Sequence, residues 1–441
     1  MKRLLPLLLC AVLALFCATT AQAAGVSITL TASEYALHYA FDAGAQDPFV
    51  ILEYATPAEK GWMMLYSEDG HFEGDVSLAY SGAGGKTSVA LTSARTTGSI
   101  GKASTTLPKA ADYQKPTGKS NAKVMDFVLT ETPEGFHYAF NAAGTDYMLL
   151  YWRSKEQTVT QPVYPDENGH YEGDVVSELT FARTQFTVQV KSGSGSMKKE
   201  ATVRKGYQAP EAPQRQEGLL SGVTVCIDAG HQENGRFVNE PIGPGLSGST
   251  SGKGGMAQGT KTNRRESIVC LEIGMLLRDE LLRQGANVIM TREDQTTFHT
   301  NIERCEIAEA GGAQIMLRLH CNNSSNRSKR GIQVYGPLNS DYAKAVADAD
   351  TYREMGQKLL DAMKTRVGMT LANSTGMVRL NDNYVGNNWA KMMCFLVEMG
   401  YLSNPAEEYL LVTPVYQQWL AEGMADGVYE IAVARGWVQA Q

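Results

Sequence analysis

From Gly25 to about Lys205 the apolar and polar positions alternate in short runs separated by Gly and Thr, with few helix-period stretches. This period-2 pattern predicts β-strands with one buried face. From Leu219 onward the pattern changes to short apolar runs alternating with 3.6-period segments, the signature of an α/β domain. The runs predict strands over Val223 to Ile227, Ala286 to Thr291, Gln314 to Leu319, Gly331 to Tyr335, Met377 to Leu380 and Met393 to Val397. Between and after them, helices are predicted over Glu266 to Gln284, Ile302 to Ala310, Tyr352 to Arg366 and Val415 to Ala434. In the first of these, Ile268, Leu271, Met275 and Leu282 form an apolar stripe, and Gly285 supplies the left-handed stop. A long Gly- and Ser-rich loop, Gln232 to Arg265, joins the first strand to the first helix.

The first half repeats itself. Leu37-His38-Tyr39-Ala40-Phe41-Asp42 returns as Phe136-His137-Tyr138-Ala139-Phe140-Asn141, and Asp69-Gly70-His71-Phe72-Glu73-Gly74-Asp75-Val76 returns as Asn168-Gly169-His170-Tyr171-Glu172-Gly173-Asp174-Val175, both at one constant offset. The expected fold is therefore an α/β catalytic domain with a mostly parallel sheet, preceded by two tandem all-β, sandwich-like repeat modules. The expected boundaries are a leader at 1–23, modules at 25–105 and 120–207, a linker at 208–217 and the α/β domain at 218–441. The stretch Thr97 to Ser120, rich in Lys and small polar residues, also reads as a linker. The repeated aromatic residues suit either a sandwich core or a face on which sugars stack, and core packing is the simpler account.

The amino terminus changes the compartment. Lys2 and Arg3 precede an apolar run from Leu4 to Ala18 and the small-residue site Ala21-Gln22-Ala23, which together read as a secretory signal peptide. The run is shorter than the roughly twenty residues needed to span a bilayer, so stable membrane insertion is not expected. The formal net charge of −7, more negative once Lys2 and Arg3 are removed, argues against an electrostatic grip on nucleic acid or on anionic membrane. Outside the leader remain Cys226, Cys270, Cys305, Cys321 and Cys394, an odd number without a Cys-x-x-Cys, and most lie inside apolar patterns, which predicts buried free thiols.

Four residues carry candidate chemistry. His231 follows the turn Ala229-Gly230 at the end of the first strand, Glu266 opens the next helix, His320 ends the run Ala313 to Leu319, and Glu398 ends the run Met393 to Val397. In open α/β sheets ligands gather at these C-terminal strand ends. His231, Glu266 and His320 are candidate zinc ligands, because two imidazoles and one carboxylate leave a fourth position open for water. Glu398 is the candidate catalytic group, a carboxylate able to take that water's proton. Each also has a plainer reading, as a polar strand cap or a helix-dipole residue. Asp228 either orients His231 or caps the turn and is not assigned to the site, and His299 is read as structural or exposed. The repeat histidines His38, His71, His137 and His170 are read as surface or polar-contact residues, since no acidic or Cys partner recurs beside them at ligand spacing.

Ile227-Asp228-Ala229-Gly230-His231, Glu266 before an amphipathic helix, Thr291-Arg292, Leu319-His320-Cys321-Asn322 and Val397-Glu398-Met399-Gly400-Tyr401-Leu402-Ser403-Asn404-Pro405 resemble the zinc-dependent N-acetylmuramoyl-L-alanine amidases of the amidase 3 family. The resemblance covers about Leu219 to Trp437. It implies hydrolysis of the amide between N-acetylmuramic acid and the L-alanine of the stem peptide in peptidoglycan, with zinc on His231, Glu266 and His320 and the catalytic role on Glu398. It implies peptidoglycan as partner and a secreted, cell-wall location; protein partners stay unspecified. Where the family commonly has Gly-Gly after the first His, Gln232-Glu233-Asn234 stand here, and Cys321 follows His320. Cys321 is not expected to ligate, because adjacent strand residues point to opposite faces. Two alternatives stay open: a non-catalytic wall-binding or adhesive protein on an amidase fold, and a zinc peptidase acting within the stem peptide.

Overall fold

The computed structural model describes residues 19–21 and 25–440, apart from 46, 97, 134, 155–156, 177–184, 205–208, 233–237, 251–254 and 369–376. Of the expected leader, only Thr19–Ala21 is described, where it pairs antiparallel with Ile28–Ser33; the remainder lies outside the described residues.

The N-terminal part is all-β. An eight-stranded sheet runs through its whole width, because Gln157–Val163 pairs antiparallel with Glu59–Tyr66. A four-stranded and a three-stranded sheet complete this part. Leu37, Tyr39, Phe41 and Phe72 pack with Val50 and Leu52 in one core, and Phe136, Tyr138, Phe140 and Tyr171 pack with Leu150 and Trp152 in another. The two cores correspond in detail. Strand Ala36–Asp42 pairs with His71–Ser77 in the register that Gly135–Ala142 keeps with His170–Val176, and Phe41 stacks on Phe72 as Phe140 stacks on Tyr171. These aromatic rings are buried, so they are core and offer no sugar-stacking face. The expected linker Thr97 to Ser120 is corrected: Ser99–Leu107 is a strand paired with Gly85–Ser93. Its inward positions Gly101, Ala103, Thr105 and Leu107 are mostly small or polar, which is why its alternation is hard to read as hydrophobic.

The C-terminal part is α/β. In chain order it comprises β1 (Thr224–Ala229), α1 (Glu266–Arg283), β2 (Asn287–Met290), α2 (Asn301–Ala310), β3 (Ile315–Asn322), β4 (Gln333–Gly336), α3 (Asp341–Val346), α4 (Ala349–Val367), β5 (Met377–Leu380), α5 (Val385–Trp389), β6 (Met393–Tyr401), α6 (Glu407–Leu410) and α7 (Pro414–Ala434). The sheet order is β2-β1-β3-β6-β4-β5. The first four strands in that order run parallel, while β4 lies antiparallel to β6 and parallel to β5, so the sheet is mixed. Strand alternation divides the core between two faces. Val225, Ile227, Ile315, Leu317, Phe395 and Val397 meet α1, α4 and α7, whereas Cys226, Met316 and Cys394 meet Cys305 and Ala308 of α2 on the other side. All five cysteines are buried and free. Helices α4 and α7 approach closely because Gly423 and Gly427 leave room: a Cβ at Gly427 would lie 2.8 Å from Leu359 Cα. Gly285, at φ +93°, follows α1 as expected.

The all-β part docks on this domain. In Phe49–Ala55, Val50, Leu52 and Tyr54 face their own core, while Phe49 and Ile51 join the α/β core. Trp62 meets Tyr409 edge-on at 4.5 Å between ring centroids, and Phe49 meets Trp419 at 5.3 Å.

Candidate functional site

The four sequence-predicted residues come together at the carboxyl ends of β1, β3 and β6. In register, His320 of β3 stands beside Glu398 of β6, and both point to the face opposite the large core. His231 follows β1 with φ +56°, a left-handed conformation that is uncommon for a non-glycine residue. Gly230 before it permits the turn to sit against β3: its N–H donates to Leu319 O at 2.9 Å, and a Cβ there would lie 2.4 Å from that oxygen and 2.6 Å from His320 Cε1. Glu266 begins α1, yet its carboxylate turns inward. Oε1 lies 3.1 Å from His231 Nε2 and 2.9 Å from His320 Nδ1 and accepts from Cys321 N, while Oε2 accepts from Ala257 N at 2.7 Å.

One ligand-type atom from each of His231, Glu266 and His320 lies within 4.8 Å of the others, so these residues could hold a metal ion. Two further observations fit a cation there. Buried His320 Nε2 and Glu398 Oε2 have no hydrogen-bond partner among the described residues, and such groups are costly to leave unsatisfied. Burial opposes charge on Glu266, but the hydrogen bonds to His231 and His320 overcome it and hold the carboxyl well below its usual range. Burial also lowers His320, favouring the neutral imidazole a metal needs, although Glu266 pulls the other way. Glu398 behaves oppositely: burial, reinforced by the negative charge of Glu266, pushes it up to about 8. Two carboxylates in one cleft thus hold protons very differently, the arrangement expected of groups with separate roles.

Sequence reasoning missed the support beneath the turn. Asp228 is fully buried, and its carboxylate is engaged away from His231: Oδ1 accepts from Thr291 and Arg304, and Oδ2 accepts from Arg318 Nε at 2.9 Å. Burial works against its charge, and the two arginines reverse the effect, holding it far below the usual carboxylate range. Arg292 donates to Ala229 O, Gly230 O and Ser267 O at 2.7–2.8 Å, so one guanidinium joins the His231 turn to the first turn of α1. Arg304 adds donors to Ala229 O and His231 O. A signal existed: an arginine inside the apolar run of β3 demands a buried acidic partner. Cys321 turns the other way, towards Cys270 of α1; burial, then that contact, raises its thiol well above the ordinary value, as befits a protonated packing residue.

The site opens into a cleft of about 750 Å³. The described parts of the loop between β1 and α1 line it through Glu240, Thr250, Met256 and Ala257, and His299, set aside in the sequence, lines it as well. Glu233 and Asn234 lie outside the described residues.

Fold and site define an α/β domain whose cleft gathers three residues that could hold a metal ion. The family model described as N-acetylmuramoyl-L-alanine amidase matches residues 225–430. Over these residues, a little under half of its length, the chain is similar to the amidase 3 family. It is similar to the germination-specific N-acetylmuramoyl-L-alanine amidase of Bacillus subtilis (strain 168), 26% identical over 231 residues that cover 49% of this chain and 83% of that protein. It is also similar to the probable cell wall amidase LytH of Staphylococcus aureus, 27% identical over 218 residues that cover 48% of this chain and 60% of that protein. Among solved structures, the N-acetylmuramoyl-L-alanine amidase from Clostridium difficile 630 overlays with a TM-score of 0.38 at 24% identity, covering 48% of this chain and 96% of that one.

Proposed function

We propose that this protein is a secreted zinc amidase that hydrolyses the bond between N-acetylmuramic acid and L-alanine in peptidoglycan. The observation that carries the reading is the pairing of His231, Glu266 and His320 within ligand reach with a separate, buried carboxyl on Glu398 in the same cleft. His231, Glu266 and His320 would hold the zinc, which when bound would supply a Lewis acid able to acidify water and polarise the amide carbonyl. Arg292, Arg304 and Asp228 hold the ligand-bearing turn in place. Glu398 takes the proton of the attacking water and passes it to the nitrogen of L-alanine as that amine leaves. Tethering by the N-terminal part would keep the catalytic domain near the wall; we read 25–105 and 120–207 as two copies of one β-sandwich module, 208–217 as a linker and 218–441 as the catalytic domain.

Digestion of purified peptidoglycan tests the substrate: mass spectrometry is expected to find a free L-alanine amine and an intact lactyl sugar fragment, whereas new termini inside the stem peptide would make the protein a peptidase. Full turnover in chelated protein would end the zinc reading. Glu398→Gln is expected to lower turnover by roughly 10²- to 10⁴-fold with zinc retained. His320→Ala should lose both, and loss of zinc in the Glu398 variant would make that residue a ligand.

A further inference from the structure

Among the described residues outside the cleft, ligand-type side chains gather on the outward faces of the two small β-sheets. On Ala36–Asp42, His38, Ala40 and Asp42 share one face; on the antiparallel strand His71–Ser77, His71, Glu73 and Asp75 share it. The register sets His38 opposite Asp75, Ala40 opposite Glu73, and Asp42 opposite His71. Burial of Leu37, Tyr39, Phe41 and Phe72 on the other face fixes that register, since a one-residue slip would expose the core.

Within this face each imidazole is held by one nitrogen. His38 Nδ1 lies 3.0 Å from Asp75 Oδ1, and His71 Nδ1 lies 2.7 Å from Asp42 Oδ1. Both Nε2 atoms then address one carboxylate, His38 at 3.3 Å from Glu73 Oε1 and His71 at 3.7 Å from Glu73 Oε2. Opposite Glu73, Ala40 contributes only a methyl group, which leaves the middle of the patch open. The second copy repeats the plan. His137 Nδ1 lies 2.9 Å from Asp174, His170 Nδ1 lies 2.8 Å from Asn141 Oδ1, the two Nε2 atoms lie 3.2 and 3.9 Å from Glu172, and Ala139 stands opposite Glu172. The acidic partner that the sequence reading found missing is therefore present: it sits two residues after a histidine on one strand, and the neighbouring strand brings the second histidine.

We propose that each small sheet binds one divalent transition-metal ion of the zinc class, through His38, His71 and Glu73 in the first and His137, His170 and Glu172 in the second. Imidazole nitrogen suits such ions, while calcium and magnesium prefer sets made wholly of oxygen. An imidazole whose Nδ1–H donates to a carboxylate is fixed in the tautomer that offers Nε2, and is a more basic ligand for it. Closing on one ion requires the two rings to pivot around Glu73, and the side chains are exposed enough to do so, at 37% and 49% for the histidines and 58% for Glu73. The copies differ in one supporting group, Asp42 against Asn141. Such a change typically alters metal affinity by about 10- to 100-fold, so the first site is the tighter.

The test counts zinc on the full chain, stripped with chelator and dialysed against free zinc. Three ions per chain are expected. His38→Ala with His71→Ala should remove one, His137→Ala with His170→Ala another, and Asp42→Asn should weaken the first site at least about tenfold. Calcium and magnesium in excess should displace none from these sites. His320→Ala reports the catalytic ion separately, so its failure to lower the count strikes the amidase site and leaves this inference standing. A count that does not fall with a module's own double variant, with the fold intact by circular dichroism, overturns the site in that module.

Discussion

Asp228 and Gly230 both act on the turn that carries His231. Asp228 holds Arg304 and Arg318, and Arg304 together with Arg292 fixes the carbonyls of the turn from which His231 projects. Gly230 matters for what it lacks. A methyl group at this position would press on Leu319 O and on the His320 ring, so Gly230→Ala must move a proposed ligand or the strand beneath it. Overpacking of this kind typically costs about 1–3 kcal/mol. The variant is expected to unfold at lower temperature in chelator and also to bind zinc more weakly; unchanged zinc affinity would show that the turn yields without disturbing His320. Glu398 gives a prediction of different sign. In metal-free protein its folded pKa is about 8 against 4.5 for the ordinary group, so the folded state binds this proton more tightly than the unfolded chain does. Its contribution to stability is therefore full below about pH 4.5 and is lost as pH rises through about 8. In chelator, Glu398→Gln should gain melting temperature relative to the parent between about pH 5 and about pH 9. Glu407, whose carboxyl burial pushes up to about 7, titrates in both proteins and drops out of the difference. A pH-independent difference would place Glu398 in a more solvated setting.

Among the elements, β1, β3, β6 and α1 were legible because strands covered on both faces read as unbroken apolar runs and a long helix keeps its period. Helices α3, α5 and α6 were not, since four to six residues give no period to detect. The ends of β3 and β6 were also read short: His320 and Glu398 look like strand terminators, yet the ladder continues to Asn322 and Tyr401. The candidate site positions could be found from their places at run ends, whereas the Asp228–arginine network could not, because its members look like ordinary polar positions until tertiary contacts join them. The described part of the loop between β1 and α1 lines the cleft and is tied down beside it. Glu240 accepts from Ile302 N and Asn301 Nδ2 at the start of α2, while Asn388 Nδ2 donates to Ile242 O and Trp389 Nε1 to Pro241 O. Trimming the excursion between the bridged residues Pro241 and Ser249 should therefore change activity on intact wall and on small muropeptides unequally. Equal effects on both substrates would reduce the loop to an insertion without influence on access.

At the scale of the whole molecule, the change from alternating to α/β patterning marked the two halves of the chain, but nothing in that change announced that they share a core. A clue lay in Phe49-Val50-Ile51-Leu52, a continuous apolar run whose four residues are all buried, as in a strand covered on both faces. Phe49, Trp62 and Tyr66 meet Tyr409, Tyr416 and Trp419 of the α/β domain in edge-on ring contacts. The connecting segment is fastened as well: Arg278 Nη2 donates to Pro210 O, and Arg215 Nη1 donates to Gly285 O. The all-β part is thus held at a fixed attitude by a small aromatic patch rather than by the linker alone. Neither Phe49 nor Trp62 belongs to the core of its own module, so their removal should undock the halves without unfolding that module. Truncating a buried Trp or Phe typically costs about 3–5 kcal/mol, enough to open an interface of this size. The double variant Phe49→Ala with Trp62→Ala is expected to show a larger radius of gyration by small-angle scattering, with unchanged turnover of small soluble muropeptides because neither residue lines the cleft. A radius equal to that of the parent protein would mean that other contacts, such as Arg330 with the carbonyl of Arg95, are sufficient to hold the two parts together.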